Sequence, residues 1–584
     1  MLISKKAGCI ILILCLAVGL CACGKSAAPA GTDQTADAGE GAPTPAADVE
    51  TIADEAETET DTDIDADEPG ESDVDIIHPI VFHKQLTCSV PGSWERGVNC
   101  EYDLFTLTKE DQEKYPRLAK AMAELATDMG ARVLNDFSEM RVIMEERYLA
   151  ASPDDEVDPD AWELVDTSAR KVVRSDSVAF SFFCDNYYYY GGAHPYYSFT
   201  GYNFDSQTGQ KLSCEDVVSD VDKLNEILFE RVMEEYGDIC LLNEDTVKEH
   251  LAMCKTGESD YEWLLGYEGV TFYFNPYSIA AFSAGMQLVY LSFEDYPELF
   301  VETYQKIPKN YIEPFCSYGD IYTDIDLDNK VEKVSATLGN AFTESEEWYA
   351  FINIDDECYT FSYPYSFGGD LYLVHYDGKC YIYSFMSNMG ENESIQCYDL
   401  SDGTAKRVHR YALGSRVMVA NNYIDLSETS EHGDESIAEY YSAYEVFTDP
   451  VNFRLSTWND ALSTCNGVVD FAIDEDGVPS RASDIYNVSR DWWIDEEDPL
   501  TPLTFTTKME LTMRRLDANG NVSEDITIPK GTALEYIRTD TKTYADFRLE
   551  DGSEVRALIR CDDYPQEICN EILEDAVDGT IFAG

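Results

Sequence analysis

Asp324, Asp326 and Asp328, followed by Lys330 and Glu332, form the strongest metal-ligand pattern in this 584-residue chain. The run reads Asp-Ile-Asp-Leu-Asp-Asn-Lys-Val-Glu. It offers carboxylates at alternate positions, a turn residue in Asn329, the backbone carbonyl of Lys330 and a closing carboxylate in Glu332. That set suits Ca²⁺, which takes about six to eight hard oxygens on a tight loop. Asn329 stands where glycine is usual, and asparagine tolerates positive φ. The residues that follow, Val-Glu-Lys-Val-Ser-Ala-Thr-Leu, alternate as a strand, so the loop is not an EF-hand. The competing reading is an acidic turn that enters a strand without metal.

A second constellation would recognise an organic surface. Tyr187, Tyr188, Tyr189 and Tyr190 run into Gly191 and Gly192, then His194, Tyr196 and Tyr197. Tyrosines ending on a glycine turn supply rigid aromatic anchors for a ligand. The competing reading sends alternate tyrosines into a core, as a strand does with every second side chain, and gives the glycines to a turn.

Catalytic patterns are weak, and no catalytic residue is assigned. His194 could act as a base, but no nucleophile stands near it in sequence. Ser168-Ala-Arg-Lys171 matches S-x-x-K and Lys255-Thr-Gly257 matches a partner motif. Yet Ser168 leads into a β run, where that chemistry needs it to open a helix, and no S-D-N lies between. G-x-S-x-G, H-E-x-x-H, Walker A and G-x-G-x-x-G are missing. The chain is therefore expected to be a binding protein rather than an enzyme. A hydrolase would need carboxylates of displaced pKa in a cleft.

The N-terminal residues give an address. Lys5 and Lys6 precede an apolar stretch over 7–20, the right length for a secretory signal. Leu20-Cys21-Ala22-Cys23 then fits a bacterial lipobox, although Cys at its third-last place is less usual. Cys23 is the expected lipidation site, and the alternative is an ordinary signal peptide with an A-x-A-like cut. The expected location is the extracytoplasmic face of the cell membrane of a Gram-positive-type bacterium, held by the lipid alone.

Net charge is −72, which excludes nucleic acid and anionic headgroups as partners and favours basic proteins and divalent cations. Of 17 cysteines, four lie within the first 23 residues. Cys88/Cys100, Cys240/Cys254 and Cys561/Cys569 are near enough in sequence to be disulfides. The mature chain has no C-x-x-C and few histidines, which argues against zinc.

The elements that must position these residues follow from composition and period. Residues 24–75 hold 17 acidic residues and no aromatic, so they are expected to be a disordered tether spanning roughly 40 Å. Residues 76–307 read as an α+β domain, with helices over 109–148 and 220–236 and a shorter one over 244–253. Residues 308–500 read as a β-rich meander or propeller-like domain, with hairpin turns at Asp377-Gly378 and Asp402-Gly403. Residues 501–584 suggest a small SH3-like barrel.

Two segments carry a resemblance. One is Cys184-Asp-Asn-Tyr-Tyr-Tyr-Tyr-Gly-Gly-Ala-His-Pro, with Tyr202-Asn-Phe-Asp and Thr208-Gly209. The other is Phe272-Tyr-Phe-Asn-Pro-Tyr-Ser-Ile-Ala, with Leu288-Val-Tyr-Leu. Residues 80–305 thereby resemble the RsiV/PdaC-type extracytoplasmic domain family, found in lysozyme-binding anti-sigma factors and beside peptidoglycan deacetylases. The resemblance implies an α+β fold and capture of a basic wall-active protein such as lysozyme. Neither the family's cytoplasmic bundle and transmembrane helix nor the deacetylase's zinc-binding histidines are found here, so only the binding role carries over. The alternatives are recognition of peptidoglycan or another wall glycan, and an unrecognised envelope hydrolase.

Overall fold

The computed structural model describes residues 74–582, except 90–95, 151–162, 193, 240–241, 317–318, 329, 341–347, 364–368, 387–393, 413–417, 420–436, 475, 490–502, 518–519 and 563. The signal segment, Cys23, nearly all of the tether, Cys240 and Asn329 lie outside the described residues.

Strands β1 (Pro79–Ser89) and β2 (Arg96–Leu107) form an antiparallel pair. The chain then enters the short helix α1 (Lys109–Lys114), whose cap Thr108 accepts from the Asp111 amide. Helix α2 (Pro116–Ala150) follows and buries Leu118, Met122, Met129, Val133, Phe137, Met140 and Met144. Those residues recur at helical spacing and make one apolar stripe. The stripe covers one face of the sheet, which lets β3 (Leu164–Ser175) pair parallel to β2. A parallel pair requires such a crossover.

Strands β4 (Ala179–Tyr189) and β5 (Tyr196–Asp205) complete this side of the sheet. Phe105, Phe180, Phe182 and Phe204 of the sheet are buried in one cluster with Leu118, Met122 and Met129 of α2.

A second core lies beyond β5. A short turn of helix α3 (Cys214–Val217) leads to α4 (Val221–Tyr236), capped by Asp220, and α5 (Glu244–Thr256), capped by Asn243. These helices share a core with the three-stranded sheet of β6 (Glu262–Leu265), β7 (Gly269–Phe274) and β8 (Gln287–Ser292). The β6 backbone crosses so close to β5 that a Cβ at Gly201 would meet the Trp263 carbonyl oxygen at 1.8 Å. Asn203 fixes the crossing, donating to Trp263 O at 3.0 Å and accepting from the Leu265 amide at 2.9 Å.

The remaining chain is β-rich. Strands β9 (Tyr311–Pro314), β10 (Ile321–Thr323), β11 (Glu332–Asn340), β12 (Trp348–Ile354) and β13 (Glu357–Tyr363) are followed by β14 (Gly369–Tyr376), β15 (Lys379–Met386), β16 (Ser394–Asp399) and β17 (Lys406–Ala412). They form a four-stranded meander, β10 to β13, and a five-stranded sheet in the order β17-β16-β15-β14-β9. Both expected hairpin turns are present, with Gly378 and Gly403 at positive φ. The last strands, between 418 and 578, apart from the one over Ile437–Glu445, join one branched sheet that forms no closed barrel among the described residues.

Strand pairing crosses the segments read from sequence. Strands β18 (Met418–Val419) and β19 (Ile437–Glu445) come from the β-rich region, and β19 pairs with β1 from Ile80↔Glu445 to Cys88↔Ile437. The described residues form one compact unit. Cys100, Cys561 and Cys569 are free thiols, so neither Cys88/Cys100 nor Cys561/Cys569 is a disulfide.

Two polar centres tie these layers together. Arg174 and Asp176 are fully buried and paired at 2.9 Å. Arg174 also donates to the carbonyls of Gly266 (3.0 Å), Tyr304 (2.8 Å) and Lys306 (2.6 Å). Asp176 accepts from the amides of Val178 and Ala179. The second centre is His78, whose Nδ1 lies 2.9 Å from Asp111 and Nε2 3.3 Å from Asp449. Burial opposes the imidazolium, but the bonds to Asp111 and Asp449 outweigh it and raise the pKa to about 9.

Two outcomes follow. Arg174→Met strands the buried Asp176 charge and should cost about 3–5 kcal/mol in chemical denaturation. R174M/D176N should lose less than the two single variants summed. The His78 contribution is complete below pH 6.5 and is lost as pH rises through about 9. Melting temperatures across that window should fall for the native chain and run flatter for His78→Gln.

Candidate ligand face and carboxylate loop

The tyrosine run sits where β4 and β5 outgrow the core. Phe180, Phe182, Phe183 and Cys184 are buried, whereas none of Tyr187, Tyr188, Tyr189, Tyr190, Tyr196 and Tyr197 is. Tyr187 is 40% exposed and Tyr190 39%. The alternate-burial reading therefore stops at Cys184. Beyond it both faces of the hairpin carry accessible rings. Gly191 (φ 86°) and Gly192 (φ 145°) make the turn, where a side chain would be strained.

Each face has its own aromatic group. Tyr188 and Tyr196 are opposed across the hairpin with ring centroids 4.8 Å apart, and Tyr190 lies 5.9 Å from Tyr188. Arg147 of α2 donates to the Tyr190 carbonyl, and the Tyr190 hydroxyl donates to Asp166 at 3.3 Å. The other group gathers on Phe282: His194 at 4.1 Å, Tyr197 at 5.4 Å and Tyr277 at 5.7 Å. Tyr277 adopts φ 73° and is 59% exposed.

Tyr277 and Phe282 are site residues that the tyrosine run alone does not disclose. The Phe-Asn-Pro-Tyr segment contained the signal. Asn275 accepts from the Phe199 amide at 2.8 Å and donates to the Phe199 carbonyl at 2.9 Å. Its amide imitates a β-ladder partner and holds the 275–285 segment against β5.

The carboxylate loop is the hairpin connection between β10 and β11, closed by the pair Thr323↔Glu332. Ile325 is buried and anchors it. Asp324, Asp326 and Glu332 each bring an oxygen within 4.8 Å of the others. Asp328 is outside this group. Its amide donates to Asp324 (3.1 Å) and Asp326 (3.2 Å), and its carboxylate pairs with Lys330 at 3.3 Å. Burial, then the charges of Asp326, Asp324 and Asp328, push the Glu332 carboxyl up. Three of the four candidate carboxylates thus converge.

The other sequence motifs part company. Ser168 lies on β3, buried, and donates to Asn186 at 2.9 Å. Lys255 pairs with Asp222. His194 Nδ1 lies 2.8 Å from the Pro195 carbonyl, and its ring is packed on Phe282.

Part of the chain is similar to solved DUF3298 family structures. A member from Bacteroides fragilis is 15% identical, covers 40% of this chain and 96% of its own, and has a TM-score of 0.30. A DUF3298 family protein from Pseudomonas aeruginosa is 13% identical over 38% of this chain and 96% of its own, with a TM-score of 0.24. No protein-family profile and no curated protein matches the sequence.

Asn275→Ala should release the 275–285 segment at a cost of about 1–3 kcal/mol, because the Phe199 amide and carbonyl lose their partner. Limited proteolysis would show new cleavage there. Tyr277→Ala, which removes only an exposed ring, should leave both stability and cleavage unchanged.

Proposed function

We propose that this chain is a cell-surface lipoprotein, anchored through Cys23, that binds a basic wall-active protein such as lysozyme. The observation that supports this most is the aromatic hairpin end: accessible rings on two faces, joined by Tyr277 and Phe282, on a chain of net charge −72. Aromatic rings of this kind supply hot-spot contacts, and the acidic field steers a cationic partner to them. The resemblance of residues 80–305 to lysozyme-binding domains points the same way.

A wall glycan is the second reading, because exposed tyrosine faces also suit sugar rings. Salt separates the two, since steered protein binding weakens with ionic strength and stacking on a neutral sugar does not. The envelope hydrolase reading asks for carboxyls of displaced pKa in a cleft. Burial raises Glu268, whose oxygens accept from the Tyr311 and Thr323 hydroxyls and the Asp324 amide.

Titration of the purified chain with lysozyme at low and physiological salt tests the main reading. Saturable binding that survives physiological salt should fall at least about tenfold in Y187A/Y190A. Unchanged affinity in that variant would contradict the proposal.

The Asp324, Asp326 and Glu332 group is proposed to hold Ca²⁺. Added Ca²⁺ should raise the melting temperature of the native chain and leave Asp326→Asn unmoved. An equal rise in both would refute the assignment.

A further inference from the structure

A cleft of about 680 Å³ opens beside the carboxylate loop, away from the tyrosines. Its size falls in the range of small-molecule sites. The floor is a stack of three rings. Tyr267 lies 4.1 Å from Tyr311, and Tyr311 lies 4.4 Å from His375. Phe293 and Ile325 add apolar wall, and Leu327 stands exposed at the mouth.

The charges in this cleft do not balance. Glu268 reaches it from the turn between β6 and β7, held by the Tyr311 hydroxyl at 2.6 Å, the Thr323 hydroxyl and the Asp324 amide at 3.0 Å. Glu294 and Asp324 also line it. His375 brings no compensating charge, because burial lowers its pKa to about 4. Lys309 is paired with Asp377 at 2.8 Å, and Lys379 is exposed at the rim.

Behind Glu268, Glu313 shares the lining of a second cavity of about 70 Å³. Burial, then the charge of Glu268, push its carboxyl well above the usual carboxylate range. Arg174, the cation nearest these groups in the core, is already engaged by Asp176 and three carbonyls. Around the cleft itself, Glu268, Glu294 and Asp324 outnumber Lys309 and Lys379, beside an apolar wall.

We infer that this cleft binds a small organic cation, an ammonium on an apolar stem. The ammonium sits at Glu268, and the stem lies along Phe293, Ile325 and Leu327. A carboxylate beside aromatic faces is a favourable setting for an alkylammonium group. Anions are repelled by three carboxylates. A neutral stem of the same length gains the apolar contact and nothing from the charges. This site is independent of the tyrosine face.

Calorimetric titration of the full chain with n-hexylammonium, against n-hexanol, tests the inference. One-to-one saturation by the amine is expected, with hexanol at least about tenfold weaker. Glu268→Gln should weaken the amine about tenfold. Val331→Trp keeps every carboxylate but fills the cleft from its half-buried wall, so it should abolish saturation while the chain stays folded. Amine binding that is unchanged in V331W would mean diffuse attraction to an acidic surface and would overturn the site. So would the absence of saturable heat in the native chain.

Discussion

The buried pair of Arg174 and Asp176 is the constraint on which the rest of the structure depends. One guanidinium links the end of β3 to the turn at Gly266 and to the 304–306 segment, where the chain leaves its α+β part. Asp176 shapes the β3–β4 turn through two amides, and Ser206 donates to its carbonyl. Ser175 adds a bond to Ile77 beside it, and the Tyr267 hydroxyl receives the Ser175 amide. A buried ion pair adds little net stability by itself, since desolvation offsets attraction. Its value here is geometric: six guanidinium and carboxylate contacts together fix how these segments align. The β4–β5 hairpin, the 266–269 turn and the approach to β9 take their positions from it.

Local features were legible in the sequence, and long-range ones were not. The period of Leu118 to Met144 marks α2, Asp220 and Asn243 mark caps, and Asp377-Gly378 and Asp402-Gly403 mark turns, because each signal lies within a few residues of its effect. The carboxylate loop was legible in the same way. Even there the side chain of Asp328 points to Lys330, which spacing alone does not decide. The pairing of β1 with β19 joins residues about 360 positions apart through backbone groups that any sequence carries. Arg174 reads in sequence as one more solvated charge on a β run, and only burial reveals its role. Likewise the Glu268 cleft is assembled from the β6–β7 turn, β9, β14 and the carboxylate loop, and no one of these discloses it alone.

The aromatic end follows from how far β4 and β5 extend beyond their helical cover. While α2 lies over the sheet, Phe180 and Phe182 are buried. Past Cys184 the same alternation delivers tyrosines to solvent on both faces. Tyrosine suits that position because its ring is apolar and its hydroxyl accepts water. The 275–285 segment then stiffens one face through Asn275, so that Tyr277, Phe282, His194 and Tyr197 form one preformed group. Preformed rings lose little side-chain freedom on binding, which favours recognition of a folded partner.

Hydrogen exchange of the chain with and without saturating lysozyme tests the central claim most directly. New protection is expected only at residues 186–199 and 275–283, at the aromatic end. Protection elsewhere with these segments unchanged, or no protection at saturation, would contradict it.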